Sequence, residues 1–129
     1  MNFSLSKEER LCSRKDIETL ILNGNSSFIF PFKLHWKITK DQKLPVKIAF
    51  AVSKKRFKRA NKRNLIKRRM REAFRLQKPF LVNDLLKMDL KLQLLMVYIS
   101  PQVLNFNEID RKLKIILDMV WKEIQKSSR

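Results

Sequence analysis

Residues 46–75 decide the fold, and they read VKIAFAVSKKRFKRANKRNLIKRRMREAFR. The apolar pattern of residues 46–53 predicts a strand, whereas the apolar spacing after residue 61 predicts a helix. A second apolar run, residues 92–100, has the length of a buried strand and is closed by Pro101. Two strands that are joined through a helix indicate a parallel pair with a crossover connection.

The residues before this unit predict one helix and one or two strands, so that two or three strands in all precede the basic helix. Ser13 and Asp16 have the spacing of a variant capping box at a helix start, and Gly24, the only glycine, marks the end of that helix. Pro31 indicates a strand edge or a break at which two short strands meet. From residue 28 the period changes to two, and the apolar side of this segment comprises Phe30, Phe32, Leu34, Trp36 and Ile38.

The residues after the basic helix predict a break and a final helix. Residues 76–89 extend the basic helix or form a short helix of their own, and Pro79 predicts a break near Gln77. Asn107 is the predicted N-cap of the last helix, with Asp110 at its third position. Its apolar stripe consists of Ile109, Leu113, Ile116, Leu117, Val120 and Ile124. The order of elements indicates one α/β or α+β domain.

The composition indicates a folded protein with a polyanionic partner. Of 129 residues, 30 are Lys or Arg and 12 are Asp or Glu, which gives a net charge of +18. A hydrophobic content of 44% is enough for a core and excludes a disordered basic tail. Such a charge costs self-repulsion, which nucleic acid would relieve.

The remaining bulk features predict a soluble cytoplasmic protein. Cys12 is the only cysteine, so no intramolecular disulfide can form. The sequence has neither the apolar core of a signal peptide nor an apolar stretch of about 20 residues that could span a membrane. We therefore expect no membrane partner.

The basic segment, residues 54–75, separates an apolar stripe from a cationic arc. Twelve of its 22 residues are Lys or Arg and only Glu72 is acidic, so it carries +11 of the total +18. On a helical wheel, Ile66, Met70, Ala73 and Phe74 form a stripe that faces the core. The neighbouring arc of about 100° consists of Asn64, Lys67, Arg68, Arg71 and Arg75. An ordinary solvated face would mix the two signs of charge, so this arc favours the binding of a polyanion.

The start of this helix favours phosphate binding. Lys62 and Arg63 lie in the first turn, where cations are unfavourable by up to about 1 kcal/mol each because of the helix dipole. A phosphate bound at the helix N-terminus would reverse that cost. Arg63 lies at the edge of the apolar stripe, from which it can reach sideways.

The same residues resemble the signature of the ribonuclease P protein component family. That signature has a strand that ends in a Lys-Lys pair, a short basic connection and a helix that opens Arg-Asn-Arg. The matching residues are Ser53, Lys54, Lys55, Arg59, Ala60, Arg63, Asn64, Ile66, Lys67, Arg68, Arg71, Glu72 and Phe74. The N-terminal residues that resemble the family are Phe3, Leu5, Lys7, Arg10, Leu11 and Gly24.

The resemblance implies a fold and separate roles for the RNA subunit and the polypeptide. The expected fold is a single α+β domain over residues 1–129 with the order αβββαβα, a mixed sheet of about four strands and a left-handed βαβ crossover. The basic helix would dock on a catalytic RNA subunit, and a cleft between helix one and the sheet would hold the 5′ leader of precursor tRNA. The RNA would perform the cleavage with Mg²⁺. The polypeptide would be a non-catalytic subunit that is inactive alone and monomeric within the particle.

Three positions depart from the family pattern. The family usually has a third arginine where this chain has Leu65, although Arg68 and Arg69 are near enough to compensate. Ile17 and Ile21 stand where many members have phenylalanines that face the leader, so leader binding would depend more on charge or on aromatics of the sheet. Either His35 or Trp36 matches a family aromatic on the second strand. The alternation places Trp36 in the core and makes His35 the leader contact.

The sequence predicts two sets of binding residues and no catalytic or metal-binding residue. The RNA-binding set comprises Lys54, Lys55, Arg56, Lys58, Arg59, Lys62, Arg63, Asn64, Lys67, Arg68, Arg71 and Arg75. The leader-cleft set comprises Phe3, Lys7, Arg10, Ile17, Ile21, Lys33 and His35. His35 is the only histidine, which excludes a paired-histidine ribonuclease mechanism, and the acidic residues are too scattered to predict a two-metal site. No Cys/His spacing indicates zinc.

Two other functions share the basic helix. A structural RNA-binding protein, such as a ribosomal protein, would have a similar fold class and no effect on tRNA processing. A DNA-binding protein would lay the helix in the major groove. The continuous basic arc argues against that function, because Asn64 is its only amide suited to reading base edges.

Overall fold

The computed structural model describes residues 9–11, 13–40 and 42–127, which form three helices and four strands. In chain order these are α1 (Arg14–Asn23), β1 (Asn25–Ile29), β2 (Phe32–Thr39), β3 (Val46–Val52), α2 (Ala60–Lys87), β4 (Lys91–Tyr98) and α3 (Phe106–Ser127). This order, αβββαβα, confirms the predicted α+β class. Within the described ranges, no helix combines the length and the apolar character needed to cross a bilayer.

The four strands form one mixed sheet in the order β1-β2-β4-β3. The pairs β1–β2 and β2–β4 are antiparallel, and β3–β4 is parallel. The parallel pair is joined through α2, so the predicted strand–helix–strand crossover is confirmed. Its handedness stays a prediction.

The main core lies between the sheet and the layer formed by α2 and α3. The even-numbered residues of β2 and β4 face this layer, because successive side chains of a strand point to opposite sides. Trp36 is 5% exposed and belongs to this core, which confirms its predicted position. The predicted apolar stripe of α3 is buried in the same core.

The opposite face of the sheet carries α1 over a much smaller cluster. Leu11, Leu20 and Leu95 are its buried members, and Ile17 and Val97 pack against them. This face is therefore only partly covered by the described residues, and the polar side chains of its strands lie beside α1.

Helix α1 begins and ends where the sequence predicts. Ser13 Oγ accepts a hydrogen bond from the Asp16 N–H at 3.3 Å, and the Gly24 N–H donates to the Leu20 carbonyl at 2.9 Å. A Cβ at residue 24 would collide with that Leu20 carbonyl and lie 3.0 Å from the carbonyl of Trp36. Glycine therefore ends α1 because the chain passes too close to its own backbone for a side chain.

Helix α2 continues without interruption through Pro79, so the predicted break near Gln77 is wrong. Proline inside a helix costs about 3 kcal/mol because it removes a backbone donor and crowds the preceding turn. Leu81 and Leu85 follow within one to two turns and are buried in the core that α3 shares. Each buried leucine contributes about 1.5–3 kcal/mol, so packing beyond the proline offsets its cost.

The start of α3 differs from the prediction by two residues. Asn105, not Asn107, caps the helix, since its Oδ1 accepts from the Glu108 N–H at 2.9 Å. Leu104 and Phe106 flank this cap and pack against the main core. These tertiary contacts fix the chain at residues 104–106, so the helix begins before the residue that local propensity favours.

The predicted break at Pro31 is a turn between β1 and β2. The two strands pair directly, with Ile29 opposite Phe32 and Phe28 opposite Lys33. Phe30 lies in the turn and is 50% exposed, so its predicted place on the buried side is wrong. The turn also reverses the alternation, because Phe28 now shares a face with the odd-numbered residues of β2.

Candidate RNA-binding surfaces

The connection between β3 and α2 is held by one buried aromatic residue. Phe57 is buried in the main core, its ring centroid lies 6.1 Å from that of Tyr98, and its N–H donates to the Ser53 carbonyl at 3.1 Å. The Ser53 hydroxyl accepts from the Lys55 N–H at 3.2 Å. The cations of this connection are exposed on its outer side: Lys54, Lys55, Arg56, Lys58 and Arg59.

The first turn of α2 has an uncompensated positive end. Arg59 occupies the N-cap without a side-chain hydrogen bond to the helix, and no acidic residue lies in the first turn. Arg63 Nη1 donates to the carbonyls of Phe57 and Lys58 at 2.7 and 3.0 Å. Arg63 therefore ties the basic connection to the helix start, a structural task that the sequence did not reveal.

The cationic arc of α2 has the geometry that the wheel predicts. The stripe residues Ile66, Met70, Ala73 and Phe74 are fully buried, and beside them Asn64, Arg68 and Arg71 are exposed while Lys67 is half-buried. The stripe fixes the helix against the sheet, so the arc is presented on a rigid support.

Two further arginines of α2, besides Arg63, are bonded to protein groups. Arg75 Nε donates to Glu72 Oε2 at 2.9 Å, and this hydrogen bond holds the pKa of the Glu72 carboxyl below its usual value. Arg69 Nη1 donates to the Leu104 carbonyl at 2.7 Å, which ties α2 to the loop before α3. The interpretation that Arg69 compensates for Leu65 is therefore not supported by its position, because Arg69 is directed toward that loop.

The strand register places Lys33 and His35 on the face that carries α1. Lys33 pairs with Val97 and His35 with Leu95, and both apolar partners belong to the α1-side cluster. Directly paired residues share a face, so the two polar side chains lie beside α1. Helix α1 adds Ile17, which is half-buried, and Ile21, which is 48% exposed.

Phe28 is the functional candidate that the sequence argument missed. It stands opposite Lys33 in the β1–β2 register and is 58% exposed on the α1 side of the edge strand. Simple alternation along residues 28–38 assigns it to the core side. A predicted hairpin at Pro31 would have placed Phe28 correctly, because the turn reverses the alternation of the two faces.

The surroundings of His35 favour its neutral form. Partial burial, and secondarily the charge of Lys33, lower the pKa of its imidazole from the ordinary value of 6.5. At pH 7 His35 therefore offers hydrogen bonds and a ring face rather than a charge. Lys37 and Lys47 extend this face, since both are paired with Gln93 across the sheet.

Arg10 lies apart from the other predicted leader residues. It forms a parallel bridge with Ile48 of the edge strand β3 and lines a cavity with Lys67 and Arg71 of α2. The structure therefore groups Arg10 with the basic arc and not with Lys33 and His35. Phe3 and Lys7, predicted for the same cleft, lie outside the described residues, as does Leu5.

The described residues form a small basic protein of the nucleic-acid-binding class, with a cationic arc on one helix and a partly open sheet face. The model of the family described as "Ribonuclease P" matches residues 5–121. The chain belongs to the ribonuclease P family, as a protein component of that ribonucleoprotein endoribonuclease. The family acts in tRNA processing and binds RNA.

Individual relatives and solved structures agree with this assignment. The ribonuclease P protein components of two Porphyromonas gingivalis strains are each 31% identical over 113 residues, which span 87% of this chain and 82% of the relative. The RNase P protein of Staphylococcus aureus has the same fold, with a TM-score of 0.73 at 21% identity, over 87% of this chain and 94% of that one. A mutant of that protein with defective mRNA degradation activity gives a TM-score of 0.72 at 21% identity, over 88% and 89% of the two chains.

Proposed function

We propose that this chain binds the catalytic RNA subunit of ribonuclease P through its basic segment, residues 54–75. The observation that carries the proposal is the anchoring of the cationic arc by a fully buried stripe, Ile66, Met70, Ala73 and Phe74. Folded RNA presents phosphates at fixed positions, so a rigid array of cations binds it with little loss of conformational entropy. Arginine suits this task because its guanidinium can donate two hydrogen bonds to one phosphate.

The same proposal assigns the 5′ leader of precursor tRNA to the α1 side of the sheet. Phe28 offers an exposed ring, Lys33 a charge and His35 a neutral polar ring on one face. Unpaired bases bind by stacking on aromatic rings while cations follow the backbone, and stacking contributes about 1–3 kcal/mol per base. Ile17 and Ile21 add apolar contact but no aromatic stacking.

In this proposal the RNA subunit and its magnesium ions carry out the cleavage of precursor tRNA. No described residues bring together three or more His, Cys, Asp or Glu side chains that could hold a metal. The proposal assigns no magnesium site and no catalytic residue to the polypeptide, which would act by binding and positioning the substrate. Alone, the polypeptide should cleave nothing.

A precursor-tRNA cleavage assay at low magnesium tests the proposal. The RNA subunit should cleave faster with this chain than without it, because the protein adds leader contacts and neutralises phosphate charge. Binding of precursor tRNA to the assembled particle should tighten far more than binding of mature tRNA, which has no leader. Equal tightening of both would remove the leader from the proposal, and absence of any effect on cleavage would refute it.

A further inference from the structure

Residues 9–11, which precede α1, are fixed along the outer edge of β3. The Leu11 N–H donates to the Ile48 carbonyl at 3.0 Å, and the Leu11 side chain is buried in the α1-side cluster. Two residues earlier, Glu9 Oε1 lies 2.9 Å from Lys78 Nζ of α2. Arg10 is thus held between two anchored residues, and its position on the β3 edge is defined.

Arg10 and two cations of α2 line the same cavity. Its volume is about 180 Å³, and Lys67 and Arg71 approach it from the helix. None of the described residues that line it is acidic. Three like charges around one small space repel one another, and a bound anion would convert that repulsion into attraction.

One wall of the cavity is apolar and partly aromatic. Ile48 and Phe50 of β3 form it, and the Phe50 ring packs edge-on against Phe74 with centroids 6.1 Å apart. The aromatic ring is therefore fixed in orientation. A nucleotide combines the two chemistries that this cavity offers, because its phosphate is anionic and its base has apolar faces.

We propose that this cavity binds one unpaired nucleotide, with its phosphate among Arg10, Lys67 and Arg71 and its base against Phe50. The inference rests on the proposed RNA-binding function and adds a defined subsite to it. A paired nucleotide does not fit this chemistry, because its base is stacked within a helix and cannot reach the Phe50 wall. The nucleotide belongs either to the catalytic RNA subunit or to the precursor leader.

Two binding measurements identify the source of the nucleotide. The first is the dissociation constant of the chain for the RNA subunit alone. The second is the ratio of affinities of the assembled particle for precursor and mature tRNA. If the RNA subunit supplies the nucleotide, Arg10→Gln should raise the dissociation constant for that RNA about tenfold. If the leader supplies it, Arg10→Gln should instead lower the ratio of affinities for precursor and mature tRNA about tenfold. A charge-assisted hydrogen bond contributes about that factor.

Arg14→Gln is the matched control, because Arg14 is an exposed cation in the same region whose guanidinium is 3.3 Å from Glu18. If Arg10→Gln changes neither measurement more than this control does, the subsite is refuted while the proposed function, which does not use Arg10, stands. If the unaltered chain binds neither RNA, the proposed function itself fails. The two failures are thus distinguishable.

A double substitution tests whether the cations share one phosphate. The variant with both Arg10→Gln and Arg71→Gln should lose less affinity than the product of the two single losses, because the first change already releases the phosphate. Fully multiplicative losses would mean separate phosphates and would overturn the shared subsite.

Phe50 tests the position of the base. Phe50→Leu should reduce, by about tenfold, the same binding affinity that Arg10→Gln reduces. Phe50→Tyr should leave that affinity unchanged, because stacking needs an aromatic ring. Thermal unfolding of each variant, followed by circular dichroism, separates lost stacking from lost packing against Phe74. Full binding by a folded Phe50→Leu variant would exclude the base from this wall.

Discussion

Helices α1 and α2 both border surfaces that we assign to RNA, but the core holds them very differently. Helix α2 contributes six buried residues to the main core, whereas Leu20 is the only buried residue of α1. A helix with few buried contacts opens or shifts at a lower free energy than one fixed along its length. The difference suggests a rigid platform for folded RNA on one side and an adjustable wall for a single strand on the other.

Core substitutions should give the largest contrast between the two helices. Phe74→Ala should lower the free energy of unfolding by about 3–5 kcal/mol, because Phe74 is fully buried and packs against Phe50. Ile17→Ala, in the half-buried border of the α1 cluster, should cost about 1 kcal/mol. Urea unfolding followed by tryptophan fluorescence measures both. Equal losses would show that α1 is held as firmly as α2.

Arg68 tests the platform itself. Arg68→Gln should weaken binding of the RNA subunit by about 1.5–3 kcal/mol and lower the slope of log affinity against log salt by up to about 1, since one phosphate contact is lost. The precursor-to-mature affinity ratio should not change. Arg63 is a poorer probe, because its substitution also releases the carbonyls of Phe57 and Lys58.

Lys122→Gln is the control for Arg68→Gln, because Lys122 is an exposed cation on α3 that is 3.0 Å from Asp118. It changes the net charge equally but lies outside the proposed interface. A salt slope that responds equally to both substitutions would assign the effect to overall charge and not to the arc.

Substitution of Phe28 tests leader binding on the α1 side of the sheet. Phe28→Ala should reduce the preference for precursor over mature tRNA by about 1–3 kcal/mol of binding free energy, which is the contribution of one stacked base. Phe28→Trp should preserve that preference. Phe30→Ala is the matched control, since Phe30 is similarly exposed but lies in the turn. If both alanine variants behave alike, exposed aromatic surface in general, and not stacking on the α1 face, explains the effect.

The same two regions show how far the sequence predicts this molecule. The buried stripe and the arc of α2, and the stripe of α3, follow from helical spacing alone because each is a local pattern. Continuity of α2 through Pro79 and the cap at Asn105 depend on packing against the core, which local propensity does not report. Local patterns thus predict the platform well and its boundaries less well.

The α1 side was less predictable because it is assembled from distant segments. The place of Phe28 on this side depends on a hairpin register. Arg10, predicted for this side, lies with the basic arc instead, because it pairs with Ile48, 38 positions along the chain. The structural tasks of Arg63 and Arg69 likewise depend on carbonyl groups that no side-chain pattern marks. The charge pattern identified Arg63 as a binding candidate, but only the fold shows that its guanidinium is already bonded to the protein.

His35 gives the smallest and most local test of the α1 side. It is the only histidine, so its ring proton signal in an NMR titration is unambiguous. Its pKa in the free protein should lie below 6.5, and Lys33→Gln should raise that pKa because the substitution removes a nearby positive charge. A phosphate bound beside His35 favours the protonated ring, so binding of a leader oligonucleotide should also raise the pKa.

The lowered pKa of His35 predicts the direction of two pH effects, one on stability and one on leader binding. Because folding lowers the pKa of His35, the unfolded chain binds more protons than the folded protein as the pH falls below 6.5, and the free energy of unfolding should fall there. His35→Gln should remove that small decrease. Leader affinity should instead rise as the pH falls through the same range, since protonation adds a cation to the face. A pKa that does not move on leader binding would place the leader phosphates away from His35 and leave Phe28 and Lys33 as the contacts to be tested.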